Sequence, residues 1–257
     1  MTLPQQTIKN YQELKHIIRS VENDFQLIPG VDVLQDNKSL LQLLGVFGTD
    51  MTPVNTARQS YNKESLTFKE AEARLLSFLL KHKHSSPFRA CVIRLKVVLP
   101  LFLAEQWKKH QIAFSNVDDQ NGSNQRSMRY TEATEFYVPK IYRKTHLTDK
   151  QSSQGQLDDT YQLYADDIYE DTCKDAIQSY QDLLKLGVCK EQARGVLPEA
   201  TYTSLICTIS LPAALHFILL RKDSHAQWEI QQYAIILEEM LQVFFPNILA
   251  AALNNNE

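Results

Sequence analysis

Three segments of this 257-residue chain concentrate the polar side chains that chemistry requires. The first joins residues 106–111 (QWKKHQ) to residues 124–130 (NQRSMRY), and together they supply two lysines, one histidine and two arginines. Such a set suits a phosphate group, because a guanidinium offers two parallel donors to two oxygens. A solvated, lysine-rich helix end is the alternative interpretation of the same residues.

The other two segments each centre on one arginine. Arg194 stands among apolar residues in 192–198 (QARGVLP), where either a ligand or a structural ion pair would account for it. Arg221 belongs to residues 220–233 (LRKDSHAQWEIQQY), which we predict to form the polar start of an apolar helix. Helix N-termini attract anions, so this segment is the strongest candidate of the three. An ordinary capped helix start is its alternative interpretation.

Standard catalytic motifs are absent from the sequence. It contains no H-E-x-x-H, no G-x-S-x-G and no zinc-spaced set of cysteines and histidines, so we predict no metal site. None of its seven glycines forms a G-x-G, which excludes Rossmann and Walker A loops and leaves side chains or helix N-termini to hold any phosphate. No cysteine lies beside a histidine or a basic run that would lower its pKa, so a covalent thiol mechanism has little support.

Composition and charge narrow the class of protein. The apolar fraction of 44% provides a real core, and 27 basic against 30 acidic residues leave a net charge of −3, too small a field to capture nucleic acid or an anionic membrane. The start of the chain has no apolar signal-peptide core, and the four scattered cysteines do not resemble a disulfide framework. We therefore expect a cytoplasmic protein with no nucleic-acid or membrane partner.

The apolar spacing predicts an α+β fold that is rich in helices and has a small central sheet. We expect an N-terminal extension over residues 1–30 and a single domain over residues 31–250. A strand is predicted over residues 90–99, because they alternate and are rich in β-branched side chains. Helices are predicted over residues 69–83, 101–110, 161–186 and 191–196.

Four further segments carry weaker local signals. Residues 201–220 are interpreted as one buried helix, kinked or broken at Pro212. The last helix is expected to open at Asp223-Ser224, where Ser224-x-x-Gln227 has the pattern of a capping box. Residues 114–127 and 144–158 are polar, and we predict loops there, the second as a surface insertion.

Six ordered motifs resemble those of the flavin-dependent (alternative) thymidylate synthases, and together they span roughly residues 31–246. The motifs are TARQSY at 56–61, KHKHSSPF at 81–88, LFLAEQWKKH at 101–110, SMRYTEATEFYVP at 127–139, EQARGVLP at 191–198 and LLRKDSHAQWEIQQYA at 219–234. Because all six occur in the family's order, the sequence is identified as a divergent member of that family.

The resemblance implies an activity and an assembly. The reaction is reductive methylation of dUMP to dTMP, in which methylenetetrahydrofolate gives the carbon, NADPH gives the reducing equivalents and FAD carries the hydride. The assembly is a homotetramer with active sites at subunit interfaces. No enzyme thiol attacks the pyrimidine in this family, in agreement with the cysteines of this chain. A flavoenzyme that modifies another pyrimidine nucleotide and a non-catalytic nucleotide-binding homologue remain as alternatives.

The resemblance also implies residue roles. Arg221 and Ser127 fall at catalytic positions, and Arg221 would polarise the uracil ring as a fixed cation. The positions implied for dUMP are Gln106, Lys109, Gln125, Ser127, Arg129, Arg194 and Arg221. The positions implied for FAD are Ser60, Lys109, His110, Gln111, Ile112, Ser210, His216 and His225.

The chain departs from the family pattern mainly at the flavin positions. The family's R-H-R reads Lys109-His110-Gln111, so two guanidinium groups are lost. Its F-E-H reads Phe88-Arg89-Ala90, and its N-x-R reads Ser210-Leu211-Pro212. Sixteen residues separate His110 from Ser127, a longer spacer than the family's, with an acidic insert at about 116–123. We expect a retained nucleotide pocket beside an altered flavin pocket.

Overall fold

The computed structural model describes residues 29–110, 122–148 and 153–254. The strands in these ranges are β1 (Leu40–Phe47), β2 (Val92–Pro100), β3 (Asn124–Gln125), β4 (Arg143–Thr145), β5 (Ser153–Gln156) and β6 (Tyr202–Ser210). The main sheet has the order β1-β2-β6-β3, and every neighbouring pair in it is antiparallel. Strands β4 and β5 form a separate antiparallel pair.

Helices make up most of the remaining described structure. They are α1 (Met51–Arg58), α2 (Glu70–Lys81), α3 (Leu101–Lys108), α4 (Asp159–Lys185), α5 (Lys190–Ala193), α6 (Leu211–Arg221), α7 (Trp228–Leu241) and α8 (Pro246–Asn254). Short 3₁₀ turns cover Gln59–Tyr61, Pro87–Ala90 and Arg194–Val196. The prediction of a helix-rich α+β fold with a small sheet is confirmed. None of the helices in the described ranges is long and apolar enough to cross a membrane.

The core lies between the main sheet and the helices that follow its strands. Strand β2 pairs along both edges, with β1 and with β6, and its alternate side chains from Ile93 onward face the core. The tyrosine hydroxyl of Tyr233 on α7 donates a hydrogen bond of 2.6 Å to the backbone carbonyl of Val98, which fixes α7 against the sheet. The side chains of β2 with no exposed surface are Ile93, Leu95, Val97 and Leu99.

The prediction for residues 201–220 is wrong. The segment divides into strand β6 and helix α6, and β6 pairs with β2 along its whole length. Pro212 lies in the first turn of α6, where its missing N–H would have no helical partner in any case. The hydroxyl of Ser210 caps this turn by accepting the Ala213 N–H at 3.4 Å. The proline therefore marks the start of a helix and not a kink within one.

The predicted start of the last helix is also wrong. Helix α7 begins at Trp228, four residues after Ser224, and no side chain caps it. The Asp223 carboxylate instead accepts the His225 backbone N–H at 2.8 Å, which closes a turn before the helix. A further helix, α8, follows α7, and no local pattern predicted it. Its first backbone N–H groups donate to the distant Asp50 carboxylate, at 3.0 Å from Asn247 and 3.1 Å from Ile248.

The predicted loop over residues 144–158 contains strand β5 and most of β4, so this prediction is only partly right. The predicted loop over residues 114–127 contains β3 in its described part. Residues 1–28, most of the insert at 116–123, and residues 149–152 lie outside the described ranges.

A buried ion pair joins the β4–β5 pair to the start of α7. The Glu229 carboxylate is 3% exposed and accepts hydrogen bonds from Arg143 Nη1 at 3.1 Å and Nη2 at 2.9 Å. The Tyr137 hydroxyl donates to the same carboxylate at 3.3 Å. Burial, together with the neighbouring charge of Glu229, raises the pKa of Tyr137, so this hydroxyl keeps its proton.

We expect Glu229→Gln to lower the free energy of unfolding by about 3 kcal/mol, because it leaves the Arg143 charge uncompensated in a largely buried setting. Urea denaturation followed by circular dichroism measures this loss. Glu70→Gln makes the same change in the exposed pair between Glu70 and Arg74, whose side chains are 82% and 69% exposed, and should have little effect. Equal losses in the two variants would contradict the prediction.

Candidate active site

One cleft brings together four of the predicted substrate positions. It has a volume of about 710 Å³ and contains Gln125, Ser127, Arg129 and Arg194 in its lining, and we call it the arginine cleft. Three of these residues come from β3 and the turn that follows it, and the fourth comes from the 3₁₀ turn after α5. Residues that are 65 or more positions apart in sequence thus share one concave surface.

The edge of the main sheet positions the first three residues. Strand β3 pairs with β6, so that Gln125 lies opposite Leu205, and the Gln125 amide donates to the Thr203 hydroxyl at 3.0 Å. The chain then turns at Ser127, whose carbonyl accepts the Tyr130 N–H at 3.1 Å. The Ser127 hydroxyl accepts the Arg129 N–H at 3.3 Å, which holds both residues on one side of the turn.

Neither Arg129 nor Arg194 has a carboxylate partner in the described ranges. Arg129 donates from Nη2 to the Tyr130 hydroxyl at 3.3 Å, and its guanidinium lies 5.2 Å from the centre of that ring. Arg194 is exposed and forms no ion pair with any residue that the structure describes, which disfavours the structural ion pair left open above. The lining also contains Arg126, which donates to the Thr131 hydroxyl and the Glu132 carbonyl, and one acidic residue, Glu191. The guanidinium groups of Arg129 and Arg194 are suited to bind a phosphate dianion.

A second group of polar residues lies near the C-terminal ends of helices α3 and α6. Arg221 donates from Nε to His110 Nε2 at 2.9 Å, and the centre of the His110 ring is 5.3 Å from that of His216. We call these three residues the histidine–arginine cluster. Nearby in sequence, Gln106 donates its amide to the Gln227 side-chain oxygen at 2.8 Å, which connects α3 to the residue before α7.

In the histidine–arginine cluster, Arg221 is a fixed positive charge beside a neutral His110. Burial, together with the electrostatic effects of Arg221 and His216, lowers the pKa of His110 to about 4. His110 is therefore neutral, whereas Arg221 remains a cation even though burial lowers its pKa as well. The cluster can place a fixed cation next to a ring on which negative charge develops.

The arginine cleft does not include the second group of residues. As far as the structure describes the chain, the lining of the arginine cleft includes none of Gln106, Lys109 and Arg221. Lys109 follows the end of α3 and is exposed. The predicted substrate positions are thus divided between the arginine cleft and residues outside its lining, and we call these two groups the half-sites.

The predicted FAD positions are spread over several places. Ser60 lies in a cleft of about 560 Å³ that also contains Lys83, His84 and Arg89, and we call this the serine cleft. His110 and His216 belong to the histidine–arginine cluster, and Ser210 caps α6. His225 is exposed and its ring contacts the Asp223 carboxylate at 2.7 Å. Gln111 and Ile112 lie outside the described residues.

The sequence analysis did not assign a role to Lys83 and Arg89, two of the three cations that line the serine cleft; the third, Arg58, pairs with Glu72. Lys83 and Arg89 form no ion pair with any residue in the described part of the chain, and no acidic residue lines the cleft. Their position in the sequence could have identified them. Lys83 lies between His82 and His84 of the segment KHKHSSPF, and Arg89 directly follows its Phe88.

The three buried cysteines are poorly suited to nucleophilic catalysis. Burial raises the pKa of Cys91 to about 11 and that of Cys207 to about 12, and it also raises the pKa of Cys173. These three thiols therefore keep their protons at neutral pH. In the described ranges, no group of three or more histidine, cysteine or acidic residues is placed to hold a metal ion.

Comparisons with known proteins agree with this fold and with the family that the sequence resembles. The family model described as thymidylate synthase complementing protein matches residues 42–247. A flavin-dependent thymidylate synthase of Thermosipho africanus is 38% identical over 200 residues, which cover 77% of this chain and 84% of that protein. One from Kosmotoga olearia is 36% identical over 218 residues, which cover 84% of this chain and 91% of that protein.

A solved structure shows the same similarity. The UMP/dUMP methylase PolB from Streptomyces cacaoi, bound with 5-Br dUMP, matches with a TM-score of 0.72 and 27% identity, over 83% of this chain and 94% of that chain. A second structure of that methylase holds 5-Br UMP and matches with the same TM-score. The chain belongs to the thymidylate synthase complementing protein family, and its relatives named above are flavin-dependent thymidylate synthases.

Proposed function

We propose that this protein is a flavin-dependent thymidylate synthase that methylates dUMP. The observation that carries the proposal is the arginine cleft, where Arg129 and Arg194, which have no carboxylate partner among the described residues, lie beside Ser127 and Gln125. A similar chain, of which this protein covers 94%, is a UMP/dUMP methylase with a brominated dUMP bound. The clefts and the relatives thus support the same substrate class.

The reaction converts dUMP, methylenetetrahydrofolate, NADPH and a proton into dTMP, tetrahydrofolate and NADP⁺. Arg129 and Arg194 bind the nucleotide phosphate through charge-assisted hydrogen bonds. The guanidinium of Arg221 stabilises the negative charge that develops on the uracil ring when C5 attacks the carbon donor and then loses its proton. When bound, FAD supplies the hydride chemistry that no side chain can provide.

The serine cleft fits the phosphate-bearing part of FAD. Lys83 and Arg89 lie in its lining without acidic neighbours there, and Ser60 adds a hydroxyl. The resemblance implied guanidinium groups at positions 111 and 212, where this chain has Gln111 and Pro212. Lys83 and Arg89 lie at other positions and supply positive charge that those two residues do not. His110 and His216 would complete the flavin surface on the side of Arg221.

The division into two half-sites supports an assembly with active sites between subunits. We infer a homotetramer in which the arginine cleft of one subunit faces the histidine–arginine cluster of another. One subunit then supplies the phosphate contacts, and its neighbour supplies the cation for the pyrimidine ring. We also infer a cytoplasmic location, for which the free thiols of all four cysteines, three of them buried, are support.

A second candidate function is methylation of UMP as well as dUMP. The specific observation in its favour is that the similar methylase has been solved with either brominated nucleotide bound. The two substrates differ only in the ribose 2′-hydroxyl. Parallel assays with UMP and dUMP decide between the two functions.

A visible spectrum tests the proposed function. We expect the purified protein with added FAD to show a flavin absorption band that NADPH bleaches when dUMP is present, and to form dTMP once methylenetetrahydrofolate is added. A protein that binds dUMP without binding FAD would be a nucleotide-binding homologue and not an enzyme. Replacing dUMP by UMP in the same assay measures the second candidate.

A further inference from the structure

The contact between Arg221 and His110 determines which ring nitrogen of His110 carries a proton. Every nitrogen of a guanidinium carries hydrogen, so Arg221 Nε can only donate in its 2.9 Å contact with His110 Nε2. His110 Nε2 must therefore be the bare nitrogen of the ring. Since the buried ring is neutral, its one proton lies on Nδ1.

This tautomer is maintained at a cost. In water, the neutral imidazole of histidine prefers to hold its proton on Nε2. His110 Nδ1 is buried and has no hydrogen-bond partner among the residues that the structure describes. A buried donor without an acceptor destabilises the folded protein, so the less common tautomer needs the hydrogen bond from Arg221 to compensate.

His110 is itself held firmly. Only 8% of its surface is exposed, its ring packs edge-on against Phe217 at 5.2 Å between centres, and its backbone N–H donates to the Trp107 carbonyl at 3.3 Å. A ring fixed in this way can in turn fix the group that donates to it. The Nε edge of Arg221 is thus occupied, and the Nη1 and Nη2 groups form no hydrogen bond within the described ranges.

We propose that His110 is a positioning residue for Arg221, which it holds through a bare Nε2 so that the Nη1 and Nη2 groups face the pyrimidine. This rests on the proposed function. A carboxylate could hold the same guanidinium, but its charge would cancel the positive charge that the ring requires. A neutral imidazole orients the guanidinium and leaves its charge intact.

Nitrogen NMR of protein labelled with ¹⁵N-histidine tests the tautomer without relying on activity. We expect the His110 ring, assigned by its absence from the His110→Gln spectrum, to appear as the Nδ1–H form at neutral pH. In Arg221→Ala the ring should shift toward the Nε2–H form. A wild-type His110 ring that is already in the Nε2–H form would overturn the inference.

Kinetics test the positioning. We expect His110→Phe, which removes the acceptor, to slow release of the C5 proton of dUMP by about 100-fold, while the Kd for dUMP changes little. His110→Gln keeps a side-chain oxygen as acceptor and should recover much of this rate. His146→Phe, in the segment after β4, is the matched control and should behave as the wild type.

The outcomes separate this inference from the proposed function. An active wild type whose His110→Phe variant is equally active would overturn the inference and leave the function intact. A wild type without proton release, but with the Nδ1–H form of His110, would refute the function and retain the contact. If His110→Phe does not fold, a His110→Gln variant as slow as Arg221→Ala contradicts the role of the acceptor.

Discussion

Arg221→Ala should slow the release of tritium from 5-tritiated dUMP by about 100- to 1,000-fold, the range found when one preorganised donor to a developing negative charge is removed. The guanidinium is a fixed cation, and its neighbour His110 is neutral at pH 7 because the pKa of that ring is lowered to about 4. Without it, the negative charge on the uracil ring has no fixed partner there. Tritium released into water is counted in the presence of FAD, NADPH and methylenetetrahydrofolate.

The adjacent cation provides the control for this prediction. Lys222 directly follows Arg221, is exposed and pairs with Glu238, so Lys222→Ala removes the same charge without touching His110. Its tritium release should stay close to that of the wild type. Light scattering should show the same oligomeric state for both variants, so that the loss is chemical and not structural. Undiminished release by Arg221→Ala would refute the role assigned to this residue.

Mixing two inactive variants should restore activity if the half-sites meet between subunits. Arg194→Ala removes a charge-assisted hydrogen bond to the phosphate and should weaken dUMP binding by about 10- to 100-fold. Arg221→Ala impairs the other half-site. When the two variants are co-expressed and assemble at random, roughly one site in four combines an intact arginine cleft with an intact Arg221.

A second mixture is the control for subunit complementation. Arg129 and Arg194 lie in the same arginine cleft of one chain, so Arg129→Ala mixed with Arg194→Ala leaves every cleft with one defect. This mixture should remain inactive. Steady-state turnover of both mixtures is compared at a dUMP concentration well below the Kd of the single variants. No recovery in the Arg194–Arg221 mixture would show that each site is built within a single chain.

Local sequence signals predicted elements where the side-chain pattern alone decides the structure. The predicted helix over 69–83 is Glu70–Lys81, and the one over 101–110 is Leu101–Lys108. The helix predicted to stop at Gly187 ends at Lys185, and this glycine adopts a φ of +89°, which only glycine reaches without strain. These helices are long or sharply bounded, and their own residues suffice to define them.

The errors occur where a distant partner decides the structure. A strand and a helix divide residues 201–220, because residues 202–210 gain a complete ladder of hydrogen bonds with β2 that no local pattern reveals. Helix α8 depends on Asp50, almost 200 positions earlier, to accept its first N–H groups. Interactions of this kind are available only once the chain has folded.

The sequence by itself determined the chemistry available to this protein: the arginines at 129, 194 and 221, the absence of a reactive thiol environment, and the six motifs of the family. Only the tertiary structure decided how these groups are arranged. It collected Gln125, Ser127, Arg129 and Arg194 into one cleft. It placed Arg221 outside the lining of that cleft, in contact with His110. The physical reason is that residue type sets charge and hydrogen-bonding capacity, whereas burial, pKa and mutual distance depend on neighbours that are remote along the chain.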